Sequence, residues 1–269
     1  MKATHQYHLV EPSPLPLVTS MSLFTMVIGA VLLMHDHFSG KIILPFGVVL
    51  LLSSLYTWWS DVVKEARIDN AHTKIVRRGL SFGMILFIAS EVMFFFAFFW
   101  SFFHARFFPH EMVAGEVWSV HESIWPPKGI EKIDAWNLPF INTLILLLSG
   151  TTVNWANQCI KNYNKQDALL ALRITIFLGV AFTLLQAYEY VHVTFTLSDG
   201  VYPANFFMAT GFHGFHVIIG TIFLTISYFR TEKGHFDQGN NILGFTFAEW
   251  YWHFVDVVWL FLFIFVNCY

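Results

Sequence analysis

The stretch Leu80–Phe103 reads LSFGMILFIASEVMFFFAFFWSFF, a run of apolar and aromatic residues broken by one charge, Glu91. A helix rises about 1.5 Å per residue, so roughly 20 such residues cross the ~30 Å hydrocarbon core of a bilayer. Moving outward, similar runs occupy about Leu15–Met34 and Ile42–Trp59 before it. After it come about Leu138–Ile160, Leu169–Tyr190, Phe206–Phe229 and Phe245–Val266. These runs predict an all-α, polytopic membrane protein with seven transmembrane helices. Composition agrees: of 269 residues, 56% are hydrophobic, 19% aromatic and only 12% charged, against about 25% charged in a soluble domain.

The same reading excludes several function classes. A net charge of −3 gives no basic surface for nucleic acid. Cys159 and Cys268 lie far apart with no C-x-x-C spacing, so they offer neither a disulfide framework nor a metal knuckle. No G-x-S-x-G, P-loop or Rossmann fingerprint occurs. The N-terminal MKATHQYHLVEPSPLP lacks the charged start and small-residue cleavage site of a signal peptide, so the first run is read as a retained span.

Loop charge predicts orientation, because Lys and Arg concentrate on the cytoplasmic or matrix side. Lys2, Lys64, Arg67, Lys74, Arg77, Arg78, Lys161, Lys165, Arg230 and Lys233 fall on one side of an alternating path. Only Lys41, Arg106, Lys128 and Lys132 fall on the other. The N-terminus is therefore expected on the cytoplasmic or matrix side and the C-terminus on the periplasmic or intermembrane side. The segment 60–78 separates the first two spans from the rest, which predicts an organisation of 1–66 and 67–269. The long segment 104–137, with Glu111, Glu116, Glu122, Glu131 and Asp134, is expected at the outer surface.

Ionisable residues inside spans are costly, at about 2.5–3.5 kcal/mol on insertion scales, and so mark candidate sites. Glu91 reads either as a proton-linked or regulatory carboxyl, or as a protonated acid hydrogen-bonded to a neighbouring helix. Glu249, His253 and Asp256, spaced four and three apart, share one face of the last span, and His213 and His216 share one face of the sixth. These five form an interhelical polar network or, less simply, a metal or haem site. Glu249 and His253 make E-x-x-x-H, not the E-x-x-H of di-iron bundles, and no metal is assigned. Ala209, Thr210, Gly211, Gly214 and Gly220 are expected to permit close helix packing. Trp58 and Trp59, followed by Lys64 and Glu65, read as an interfacial belt or as a grip on a phospholipid headgroup. Arg230, Lys233 and His235 form a second basic cluster with the same two readings.

Longer motifs then carry a resemblance. YWHFVDVVWLFLF at Tyr251–Phe263, ATGFHGFHVIIGTIFL at Ala209–Leu224, LFIASEVMFFFAFFW at Leu86–Trp100, WPPKGI at Trp125–Ile130 and LPFINTLILLLSG at Leu138–Gly150, with HLVEPSPLP and WWSDVVKEA, resemble the cytochrome c oxidase subunit III family over nearly the whole chain. The wording leans toward the alphaproteobacterial members, with mitochondrial ones close. The resemblance implies seven helices, with helices 1–2 and 3–7 forming two bundles around a lipid-filled cleft. It implies an accessory, non-redox subunit in a proton-pumping complex that reduces O2 with electrons from cytochrome c. Haem a, haem a3 and copper would lie in partner subunits I and II, and structural phospholipids would bind this chain. Its role would be to stabilise the core subunit, sustain proton uptake and protect against turnover-linked inactivation. The family's intramembrane glutamate falls on Glu91, and its lipid-binding positions fall on Trp58, Trp59, Lys64, Glu65, His72 and Arg230, with His235 beside them. Departures from the usual pattern include Leu15 for Trp, Lys64 for Arg, Asn157 and Gln158 for one His pair, and Asn240 and Asn241 for another. A quinol oxidase subunit III, with about five spans, and a free-standing proton-coupled transporter are the rival readings.

Overall fold

A computed structural model describes residues 7–108, 110–113, 116–119, 125, 130, 133–236 and 242–268. Lys2, Glu122, Lys128, Glu131, Lys132, Asn240 and Asn241, on which sequence expectations were placed, lie outside the described residues, as does most of WPPKGI. Among the described residues seven helices are long and apolar enough to cross a membrane. They are α1 Leu15–Met34, α2 Gly40–Arg67, α3 Lys74–Phe107, α4 Leu138–Lys161, α5 Lys165–His192, α6 Val201–Glu232 and α7 Leu243–Leu262. The last continues as a π-helical segment, Phe263–Cys268. Within the long α3–α4 connection, β1 His110–Val113 pairs antiparallel with β2 Glu116–Ser119, His110 opposite Ser119.

Helix limits depart from the apolar runs where charge begins. α2 passes Trp59 and carries Asp61, Lys64, Glu65 and Arg67 in its last turns, because a helix satisfies its backbone as well in water as in lipid. The connection predicted over 60–78 shrinks to residues 68–73. Several helices end by reversing through a left-handed residue that satisfies their last carbonyls. Asp36 (φ 58°), Tyr163 (φ 58°) and Gly234 (φ 68°) occupy that position. The amides that follow them reach back to Leu32, Cys159 and Arg230 carbonyls, each at 2.9 Å.

The chain divides into two compact units, Met1–Leu80 and Ser81–Tyr269. In the first, α1 and α2 form an antiparallel hairpin seamed by small residues. A Cβ added at Gly47 would lie 2.6 Å from the Met26 amide nitrogen; Gly29 meets the Leu44 backbone and Gly40 the Leu33 backbone at similar closeness. Thr19 donates to Ser54 at 3.1 Å further along the same seam. Lipid tails are as apolar as leucine, so dispersion between closely approaching backbones replaces the hydrophobic effect as the adhesive.

In the second unit α4, α5, α6 and α7 pack in a ring, each touching the next and α7 closing onto α4. α7 supplies the pillars. Trp252 Nε1 donates to Ser149 Oγ and Trp259 Nε1 to Thr143 Oγ1, both at 2.9 Å. The Trp252 ring fills notches left by Gly179 of α5 and Gly220 of α6. Of the small residues expected to allow close packing, Gly220 does so, Gly211 meets only the Tyr190 hydroxyl at 3.8 Å, and Gly214 faces open space. α3 joins the ring through aromatic edges, Phe94 on Phe212 (4.9 Å), Phe95 on Phe254 (6.1 Å) and Phe99 on Phe261 (6.1 Å).

Candidate functional site

Glu91 projects from α3 toward α6, where its Oε2 lies 3.0 Å from Nε2 of His216. The other imidazole nitrogen, Nδ1, is 2.6 Å from the Phe212 carbonyl. A carbonyl can only accept, so Nδ1 carries a proton. The Glu91–His216 contact then holds one further proton, as acid and imidazole or as carboxylate and imidazolium. The pair is net neutral in both arrangements, which suits the interior of a membrane. Aromatic rings enclose it: Phe95 edge-on at 5.1 Å, Tyr251 stacked at 6.3 Å and Phe254 at 6.0 Å. The His216 side chain is 9% exposed and that of Glu91 24%.

His213, one turn earlier on α6, is separated from this pair by its own partners. Its Nε2 lies 3.1 Å from the Val255 carbonyl of α7, and its ring lies between Trp259 at 5.1 Å and Phe182 at 5.7 Å. The two histidines therefore do not converge on a common point, and both ring nitrogens of His216 are engaged. The carboxylates of α7 turn instead to α4. Asn157 Nδ2 lies 2.6 Å from both oxygens of Glu249. His253 Nε2 lies 2.9 Å from Asn154 Oδ1, and its Nδ1 lies 3.6 Å from Asp256 Oδ2. The side chain of Asp256 occupies the space beside Gly150, which a Cβ there would fill. The sequence thus named five residues of a polar network, and the structure divides them among an α3–α6 pair, a lone α6–α7 link and an α4–α7 layer. Of their partners, Gly150 closes the LPFINTLILLLSG stretch and Asn157 stood as a departure from a His pair, while Asn154 carried no signal.

Sequence reasoning also passed over Glu189. It is 4% exposed, receives one long hydrogen bond from Gln186 at 3.4 Å, and lines a pocket with Asp134, Asn137 and His192. Glu189 lies in the last turn of α5, and its place near the end of an apolar run gave no sign of that burial.

The lipid-type residues lie in both units. In the first, Trp58 is half-buried and Trp59 58% exposed near the end of α2, with Lys64 exposed and Glu65 half-buried one to two turns on. Glu65 Oε2 lies 3.7 Å from Nε2 of His72 and 3.7 Å from Nε2 of His8. Burial, then the neighbouring His8, holds the His72 imidazole below its ordinary pKa, against the opposite pull of Glu65. In the second unit Arg230 closes α6 over the ring of Phe236, 4.7 Å from its centroid, with its guanidinium against Gly244, and His235 follows in the turn.

Comparison with known proteins gives one consistent result. A family model described as cytochrome c oxidase subunit III matches residues 5–269. A protein of Rickettsia bellii named probable cytochrome c oxidase subunit 3 is 53% identical over 264 residues, 98% of this chain and 95% of the relative. One of Arabidopsis thaliana named cytochrome c oxidase subunit 3 is 49% identical over 260 residues, 97% of this chain and 95% of the relative. One of Marchantia polymorpha with the same name is 50% identical over 260 residues, with the same coverage.

Proposed function

The chain belongs to the cytochrome c oxidase subunit III family, and on that premise we propose how its residues serve the oxidase. It is an integral-membrane accessory subunit of the respiratory complex that reduces O2 to water with electrons from cytochrome c and pumps protons. The redox centres, haem a, haem a3 and copper, belong to partner subunits. This chain docks on subunit I, with subunit II in the same assembly, and keeps the core competent to take up protons.

The observation that carries the residue-level reading is the Glu91–His216 hydrogen bond. A net-neutral pair fixes α3 to α6 and holds the outer face of α3 in register. Phe82, Leu86, Met93, Phe96 and Trp100 on that helix are all exposed, an apolar surface that suits either acyl chains or a neighbouring subunit. Glu91 is thus a support for the core contact more than a proton carrier. Trp58, Trp59, Lys64, Glu65 and His72 hold one phospholipid, with indoles on acyl chains and the cation on phosphate. Arg230 and His235 contribute to a second. The membrane is a respiratory inner membrane, bacterial in preference to mitochondrial, with the N-terminus on the cytoplasmic or matrix side.

Purified oxidase with and without this subunit tests the reading. Without it, proton uptake slows and the enzyme inactivates during turnover. Equal uptake and equal lifetime would sink the proposal. Phosphorus content tests the lipid part: Trp59→Ala with Lys64→Ala is expected to lower bound phospholipid, and an unchanged content removes the assignment.

A further inference from the structure

In the first unit three donor atoms from three separate segments face one another: Nε2 of His8 in the N-terminal segment, Oε2 of Glu65 in the last turns of α2, and Nε2 of His72 in the α2–α3 connection. Both imidazole nitrogens stand 3.7 Å from the same carboxylate oxygen, and all three atoms lie within 4.8 Å of one another. An N–H···O hydrogen bond peaks at about 2.9–3.0 Å, so 3.7 Å is too long for one. It is close to the edge of a ligand tetrahedron. With metal–nitrogen and metal–oxygen distances of about 2.0–2.2 Å, neighbouring ligands stand roughly 3.4 Å apart.

We propose that His8, Glu65 and His72 form a binding site for a divalent transition-metal ion, with zinc the species its chemistry suits best. Two imidazoles and a carboxylate are a ligand set that zinc accepts, leaving a fourth position for water. The cluster is hard to account for as an ion pair, since one carboxylate balances only one imidazolium and His72 is largely buried, its side chain 8% exposed. A neutral imidazole is the form that binds a metal. Against the ion stands the positive field of Arg77, which His72 also feels. The affinity is therefore moderate, and the site is tested at micromolar free zinc. An ion there ties the segment around His8 to the end of α2, so occupancy is also a conformational restraint on that segment.

The test uses the intact oxidase complex, stripped with a chelator and dialysed against buffered zinc, with zinc per complex measured by plasma mass spectrometry. The wild type is expected to hold one equivalent more than His8→Gln, Glu65→Gln or His72→Gln. His37→Gln, an exposed histidine elsewhere in the same unit, is expected to match the wild type. Equal zinc in the wild type and the three ligand variants overturns the proposal. Phospholipid phosphorus is followed in the same samples, because the proposed headgroup site shares Glu65 and His72: zinc lost from the variants supports the ion whether or not phosphorus falls with it, and phosphorus lost with zinc unchanged overturns the ion and leaves the headgroup reading standing. Wild-type protein alone gives a second readout. Zinc is expected to slow hydrogen exchange at residues 7–13, and no change there overturns the proposal even if every variant fails to assemble.

Discussion

His216 serves two partners with one ring, and this fixes what Glu91 can be replaced by. Its Nδ1–H is committed to the Phe212 carbonyl, so a neutral ring offers only a lone pair at Nε2. A glutamine at 91 meets that lone pair with an amide N–H; a leucine does not. Glu91→Gln is therefore expected to leave the thermal stability of the complex within about 0.6 kcal/mol, the average worth of an interhelical hydrogen bond in a membrane. Glu91→Leu is expected to cost about 1–3 kcal/mol, because a buried acceptor is left without a partner. Calorimetry of the purified complex measures both, and equal loss in the two variants rules out the hydrogen-bond account. The same reasoning applies at Asn157, whose amide nitrogen serves both oxygens of Glu249. Asn157→Leu is expected to destabilise by about 1–3 kcal/mol. Its exposed neighbour Gln158 is expected to tolerate alanine with no measurable change. In the sequence Asn157 and Gln158 looked alike, two amides where a histidine pair is usual. Only the angular position on α4, which a residue list does not give, separates a partner of Glu249 from a surface residue.

At the scale of the element, the α1–α2 hairpin shows why some packing was legible and some was not. Thr19, Met26, Gly29 and Leu33 meet Ser54, Gly47, Leu44 and Gly40 in order, so steps of seven, three and four along one helix are mirrored on the other. That is a helical face matched to a helical face. Small residues in α6 were foreseen as packing notches, yet Gly214 faces open space while Gly29, Gly40 and Gly47, which carry a whole interface, drew no notice. A glycine declares permission for close approach; which helix uses it depends on neighbours the sequence does not order. The seam predicts that Gly47→Leu, which drives a side chain into the Met26 backbone, separates the hairpin. With Thr19→Cys and Ser54→Cys introduced in a background where Cys268 is serine, oxidation is expected to cross-link the two helices efficiently. The Gly47→Leu change is expected to abolish that cross-link, and an undiminished yield contradicts the seam.

At the scale of the whole molecule, burial is uneven in a way that composition shows only in part. The apolar windows of α1, α2 and α3 are 11%, 11% and 6% buried within the chain, while that of the last helix is 61% buried. The windows of α4, α6 and α7 are less apolar than those of α1 to α3, yet that of α5 is as apolar as those of α1 and α3 and is 33% buried, because lipid and protein interiors select the same residues. The sequence therefore counted the spans and ranked them as core or periphery only in part. Sidedness follows from the count and from charge. If each of the seven helices found among the described residues crosses once, the charge rule is expected to place the connections 68–73 and 162–164 on the cytoplasmic or matrix side and 35–39 and 193–200 on the other. Basic loops resist transfer across the membrane during insertion. Single cysteines at Thr73 and Tyr163, with both Cys159 and Cys268 replaced, are thus expected to react with an impermeant maleimide only after the membrane is opened or inverted. Cysteines at His37 and Ser198 are expected to react in sealed cells. Labelling of Thr73→Cys and Tyr163→Cys from opposite faces breaks the seven-span path, because α3 and α4 lie between them and an even number of crossings must return the chain to the side it left.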